Sequence, residues 1–182
     1  GGLGSPAALY LASAGVGRIT LVDDDEVDLT NLQRQVMHTT ARIGQPKAES
    51  GRAALHQINP GIDVIAVRER AEGERLVELV RGASVVLDCS DNFKTRHAVN
   101  RACFESKVPL VSGAVIRFDG QISVYDPRSA ASPCYSCLFP QDQNFNDVAC
   151  STMGVFAPLV GVVGAMQAAE ALKLIIGIGP SL

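Results

Sequence analysis

Four charged residues, Asp23, Arg34, Lys47 and Asp91, stand where packing gives no reason for them. Asp23 and Asp91 follow the short apolar runs Ile19-Thr-Leu-Val22 and Val85-Val-Leu87, of the kind that forms buried strands. Arg34 and Lys47 lie in a stretch between Asp23 and Ala48 that follows neither the two-residue period of a strand nor the 3.6-residue period of a helix. A connection of roughly 25 residues within an α/β pattern is unusually long, and such connections are functional or disordered. Carboxylates at strand ends and two cations on one loop suit a phosphorylated ligand. Asp23 would meet a ribose, Arg34 and Lys47 its phosphates, and Asp91 would hold Mg2+ through hard oxygen donors. Two cations and a metal ion exceed what a dinucleotide's pyrophosphate needs. They suit phosphoryl or nucleotidyl transfer, where catalysis consists of alignment and stabilisation of developing negative charge.

The elements that must position these groups read as an α/β fold. Gly1-Gly2-Leu3-Gly4 forms a turn open to phosphates, and Ser5 reads as an N-cap with Pro6 at the first helical position. The helix runs to Ala14, a strand follows over 18–22, and Asp23 comes about 20 residues after Gly2. At that separation a nucleotide-binding βαβ unit places an acid on the ribose. Helices predicted over 48–58, 74–80 and 95–105 alternate with strands over 62–67, 85–87 and 108–111. The alternation predicts a Rossmann-like, mostly parallel sheet with helices on both faces. Residues 114–118 and 121–125, around Asp119-Gly120, predict a hairpin, so the sheet continues into antiparallel strands. A polar segment over 126–152 carries Cys134, Cys137 and Cys150, and 156–176 closes the chain as a long helix with Pro158 in its first turn.

With 182 residues, 47% of them hydrophobic, the chain can bury the core of a single domain spanning 1–182. A net charge of −3 provides no basic field for nucleic acid or an anionic membrane. The apolar run from Val155 to Met166 falls short of the roughly 20 residues of a bilayer span and reads as a core helix. Five cysteines, an odd and sparse set, point to a reducing, cytoplasmic compartment and to metal or catalytic roles rather than disulfides. A glycine turn with no strand ahead of it marks the sequence as a fragment.

Several motifs now fall into one order: Gly1-Gly-Leu-Gly-Ser5, Leu21-Val-Asp23, Thr30-Asn-Leu-Gln-Arg34-Gln, Gly44-Gln-Pro-Lys47, Asn59-Pro60, Asp88-Cys-Ser-Asp91-Asn92, Pro109-Leu-Val-Ser-Gly113 and Pro133-Cys-Tyr-Ser-Cys137. In order and spacing they resemble the MoeB/ThiF/HesA family, bacterial relatives of the ubiquitin-activating enzymes, across essentially the whole chain. The resemblance implies a protein that uses ATP and Mg2+ to adenylate the C-terminal glycine of a ubiquitin-like sulfur carrier ending in Gly-Gly. That reaction prepares a thiocarboxylate for molybdopterin or thiamine biosynthesis. It further implies that Gly2, Asp23, Thr30, Asn31, Leu32, Gln33, Arg34, Lys47, Asp91 and Asn92 contact the nucleotide, with Asp91 on Mg2+. Arg34, Lys47 and Asp91 would act in catalysis, and a two-fold homodimer is expected.

The spacing of Cys134 and Cys137 is half of a tetrahedral zinc site. The resemblance implies a second pair beyond Leu182, so zinc is expected in the intact protein. Cys150, just before the closing helix, is a candidate for sulfur or acyl transfer. Cys89 and Cys103 read as core, and His38, His56 and His97 as packing or surface residues outside any motif. Three alternatives stay open: a nicotinamide-dependent oxidoreductase on the same βαβ unit, a relative that adenylates a modified tRNA base, and a nucleotide-fold module without catalysis.

Overall fold

A computed structural model of the chain describes residues 1–141 and 154–182. Strand β1 (Arg18–Val22) pairs in parallel with β2 (Asp63–Val67), Ile19 opposite Val64. Strand β3 (Val86–Asp88) pairs in parallel with β4 (Leu110–Ile116), and β4 pairs antiparallel with β5 (Asp119–Tyr125). Around these strands lie α1 (Gly4–Ser13), α2 (Lys47–Ile58), α3 (Gly73–Arg81), α4 (Phe93–Ser106), the short α5 (Tyr135–Leu138) and α6 (Ala157–Ile176).

Successive residues of a strand face opposite sides of the sheet, and the three-stranded sheet uses both sides. Leu110 and its cross-strand partners Val86 and Tyr125 pack with Val80 of α3 and with Val99, Ala102 and Cys103 of α4. Val111 and its partners Leu87 and Val124 face the other way, into Ala7, Ala8 and Leu11 of α1 and Ala168 and Ala171 of α6. A strand covered twice needs apolar side chains at consecutive positions, which explains Val86-Leu87 in β3 and Leu110-Val111 in β4. Sheet β1–β2 is covered differently. Ile19 and Val64 join the core of α1 and α2, whereas Val22 and Ile65 on the opposite face are 43% and 40% exposed. The expected double cover therefore holds for the three-stranded sheet and, among the described residues, not for β1–β2.

Two local expectations need correction. Helix α1 begins at Gly4 with Leu3 as its N-cap, so Ser5 lies inside the helix, and its hydroxyl donates to Gly1 O at 2.8 Å. The serine fastens the glycine turn instead of capping the helix. The hairpin turns at Arg117 and Phe118, with Ile116 opposite Asp119. Arg117 adopts a φ of 52°, its amide donates to Gly154 O at 3.2 Å, and its carbonyl accepts from Phe156 N at 2.9 Å. Those two bonds to the segment entering α6 fix the turn there, and Asp119-Gly120 is drawn into β5.

Helix α6 carries Pro158 in its first turn, as expected, and ends on Gly177 in the left-handed region. By length and composition it could cross a bilayer, with a mean hydropathy of 1.7. Its Val160, Val163, Gly164, Gln167, Ala168 and Ala171 are nevertheless buried, mostly against α1 and the three-stranded sheet, as a core helix requires.

Candidate active site

Asp23 leaves the carboxyl end of β1 with its amide bonded to Val67 O of β2 at 3.1 Å, and its carboxylate accepts from Asp25 N at 3.0 Å. Gly1 N stands 3.5 Å from Asp23 Oδ2, so the acid adjoins the glycine turn. The long loop then closes on itself. Val27 N donates to Gln45 O, Gly44 N to Val27 O and Lys47 N to Asp25 O, each at 2.9 Å, and Glu26 bridges to Pro46. Within the loop, Asp28 caps a single tight turn, Leu29–Asn31, accepting from Thr30 N at 2.8 Å and from Thr30 Oγ1 at 2.5 Å. These bonds hold the Asp28 carboxyl below its usual range. Val27, Gln35, Met37 and His38 are buried beneath the loop, which is therefore ordered by its own packing. His38 Nδ1 lies 2.8 Å from Ser50 Oγ, and burial pushes its pKa down to about 4. It is a neutral packing residue, as its absence from any motif suggested.

Arg34 lies over the glycine turn. A Cβ on Gly2 would stand 3.4 Å from Arg34 Cγ and 2.7 Å from Val160 Cγ1, so only glycine leaves room for this approach. Lys47 opens α2 with its side chain 8% exposed and its Nζ 2.8 Å from Asp25 Oδ2. It is thus a buried, paired cation rather than a loose surface one. Asp25 was not distinguishable in sequence, because Asp23-Asp-Asp-Glu26 is a run in which nothing singles it out.

The fourth charge follows β3. Asp88 Oδ1 accepts from Ser90 N at 2.9 Å and Ser90 Oγ at 2.7 Å, closing the turn that presents Asp91 at the surface. Asn92 caps α4 through Thr95 N at 2.8 Å, and its Nδ2 lies 3.5 Å from Asp91 Oδ1. This turn touches the glycine turn: a Cβ on Gly4 would stand 3.6 Å from Cys89 Cβ. Gly2, Asp23, Arg34 and the turn bearing Asp91 therefore gather around the start of α1, where Ser5 N donates to Gly1 O at 3.0 Å, Ala7 N donates to Leu3 O at 3.3 Å and Pro6 has no amide hydrogen. The remaining expected contacts have structural duties. Thr30 spends its hydroxyl on Asp28, Asn31 O accepts from Arg34 N and Gln35 N, Leu32 ends the tight turn, and Gln33 is exposed.

All of residues 1–182 match the model of the ThiF family. The chain belongs to the ThiF family. It is 49% identical over 175 residues to the molybdopterin-synthase adenylyltransferase of Salmonella typhimurium, covering 96% of this chain and 70% of that protein. It is 48% identical over 178 residues to the sulfur carrier protein ThiS adenylyltransferase of Escherichia coli, covering 98% and 70%. With the SAMP-activating enzyme E1 of Haloferax volcanii it shares 45% identity over 183 residues, covering 100% and 67%. In fold it resembles a crystal structure of Escherichia coli MccB with ATP, with a TM-score of 0.81 at 24% identity. That match covers the whole chain and 56% of MccB, so the chain spans just over half of that solved structure.

The described cysteines of this ThiF-family chain divide into two kinds. Burial pushes the thiols of Cys89 and Cys103 up to about 12, with the Asp88 charge adding to the effect, so both are inert core groups. Cys134 and Cys137 hold their sulfurs 3.6 Å apart at the start of α5. The edge of a tetrahedron with Zn–S bonds of about 2.3 Å is about 3.8 Å, so the pair fits two of four zinc ligands. Burial would raise the Cys134 thiol, and its hydrogen bonds with Cys137, Asn100 and Ser136 together outweigh that and hold it below the usual thiol range. Among the described residues no three metal-binding side chains cluster. For Mg2+, the exposed oxygens of Asp91 are donors of the right hardness. Cys150 lies outside the described residues.

Proposed function

We propose that the protein containing this chain activates the C-terminal carboxylate of a ubiquitin-like sulfur carrier by adenylation with ATP. The observation that supports it most is the gathering of Gly2, Asp23, Arg34 and the Asp91 turn around the N-terminus of α1, in a chain about half identical to named sulfur-carrier adenylyltransferases. In this reading Asp23 holds the ribose, and the glycine turn ahead of α1, with the Gly4 amide at the first helical position, receives the phosphates. Arg34 and Lys47 draw the triphosphate into line, with Asn31 and its neighbours Thr30, Leu32 and Gln33 as the supporting wall. Asp91, with Asn92 beside it, holds Mg2+. When bound there, the ion supplies neutralisation of negative charge on the departing pyrophosphate.

A carrier carboxylate oxygen attacks the α-phosphorus, the bond from that phosphorus to the bridging oxygen breaks, and pyrophosphate leaves with the electron pair. The carboxylate is already ionised at neutral pH, so no general base is required. Residues 1–182 act as one adenylation domain. Cys134 and Cys137 contribute two ligands to a structural zinc site in the intact protein. The carrier ends in Gly-Gly, the protein works in the cytoplasm as a homodimer, and the exposed Val162 and Met166 of α6 suit a subunit contact.

The test is exchange of labelled pyrophosphate into ATP by the intact protein. Carrier-dependent exchange is expected, and none with any Gly-Gly carrier would overturn the reading. Preference for NAD over ATP·Mg2+ in a binding titration would favour the oxidoreductase alternative.

A further inference from the structure

We infer that Gln167 and Arg96 are positioning residues for the turn that bears Asp91, gripping it from opposite faces of the sheet. The inference rests on the reading of Asp91 as the Mg2+ ligand.

Gln167 lies in the middle of α6 and is fully buried. A carboxamide at such a place is costly unless its hydrogen bonds are made. Gln167 Nε2 donates to Asp88 O at 2.8 Å and to Val111 O at 3.1 Å, while its Oε1 accepts from Cys89 Sγ at 3.6 Å. One side chain thus joins the end of β3 to β4 where β3 runs out into the turn. Gly113 supplies the room, since a Cβ there would stand 2.5 Å from Gln167 Cδ.

Arg96 reaches the same turn from α4, on the other face. It is 8% exposed, and its guanidinium donates to Gly113 O at 2.8 Å and to Ser90 O. Both acceptors are backbone carbonyls, one on β4 and one in the turn. Of the residues leading into Asp91, Asp88 and Ser90 each have their carbonyl fixed by a helix side chain, Asp88 by Gln167 of α6 and Ser90 by Arg96 of α4. Asp91 itself is exposed, and its Oδ1 accepts from the neighbouring Asn92 Nδ2 at 3.5 Å, so its carboxylate is aimed by its backbone. Holding a metal ligand through a surrounding layer of hydrogen bonds is how proteins tune affinity at such sites. A connection serving only to join β3 to α4 would not need two buried polar side chains from two helices. In sequence Gln167 is hidden inside an apolar helical run and Arg96 among the charges of α4.

The test measures nucleotide affinity of the intact protein in EDTA and again with Mn2+, the ratio being the gain due to metal. Gln167→Met keeps length and apolar packing, and Arg96→Lys keeps the charge but loses the fork. In both variants the metal gain is expected to fall about tenfold, with affinity in EDTA unchanged. Support of a purely structural kind would lower the melting temperature and leave the ratio as it was. A gain abolished in Asp91→Asn yet intact in Gln167→Met and Arg96→Lys overturns this inference alone. A gain unaffected by Asp91→Asn, or absent from the unsubstituted protein, overturns the metal reading and this inference with it.

Discussion

The loop from Asp24 to Pro46 and the turn from Cys89 to Asn92 both leave the carboxyl ends of parallel strands and both bring charge to the glycine turn, yet they are supported differently. The long loop carries its own support: Asp28 caps its tight turn, Val27 pairs with Gly44 and Gln45, and Met37 and His38 plug it into the core. The short turn, closed only by Asp88 and Ser90, depends on Gln167 and Arg96 reaching in from other elements. A long segment has residues enough to bury some of its own, whereas a few residues between a strand and a helix must be held from outside. The first plan keeps most of its support inside the segment, and the second places it in neighbouring helices.

The difference can be broken or sharpened by substitution. At the charged tips the two arms should behave alike, because the proposed function has Arg34 act on the triphosphate directly and Asp91 through Mg2+. Arg34→Ala and Asp91→Ala should each lower pyrophosphate exchange about a hundredfold or more, about 3 kcal/mol of transition-state stabilisation, with the fold unchanged by circular dichroism. Beneath the tips they should part. Met37→Ala removes the long loop's plug and should cost about 2.5 kcal/mol in urea unfolding. The same change should leave the metal-dependent gain in nucleotide affinity untouched, and a matching fall in that gain would show that the arms share their support.

Acid provides a third separation. His38 has a folded pKa of about 4, below its ordinary value near 6.5, so the unfolded chain binds more protons between those values. Its contribution is present above pH 6.5 and lost as pH falls toward 4. Stability should drop by on the order of 2 kcal/mol over that window, and His38→Phe should flatten this part of the profile; an unchanged profile would remove His38 from the account. The smallest expected effect is that of Asp28→Ala, about 1 kcal/mol for the lost cap, read from the melting temperature. Asp28→Ser, which keeps an acceptor, should restore most of it.

The same contrast explains what the sequence disclosed. The alternation of strands and helices was legible because the three-stranded sheet is covered twice, which forces consecutive apolar residues in β3 and β4. Asp23, Arg34 and Asp91 stood out because they break periodicity at strand ends and in the loop. Ser5 misled because its type and the following proline mimic a cap, while the glycines let the helix begin earlier and leave its hydroxyl to Gly1 O. The hairpin misled because Asp-Gly is a strong turn signal, and bonds from Arg117 to Gly154 and Phe156, distant in sequence, overrode it. Asp25, Gln167 and Arg96 were invisible for one reason: each has its meaning through a partner that no local pattern announces.

The pinch at Glu26 and Pro46 has a consequence for how such a chain can change over generations. Because it fastens both ends of the loop beside β1 and α2, the separation of Asp23 from Lys47 is set at the pinch and not by the length of chain beyond it. Each doubling of a flexible loop costs only about 0.6 kcal/mol in closure entropy. Beyond the pinch the chain can therefore gain or lose residues while Asp23 and Lys47 stay in register, provided that Arg42 keeps its bond to Ser50 O of α2.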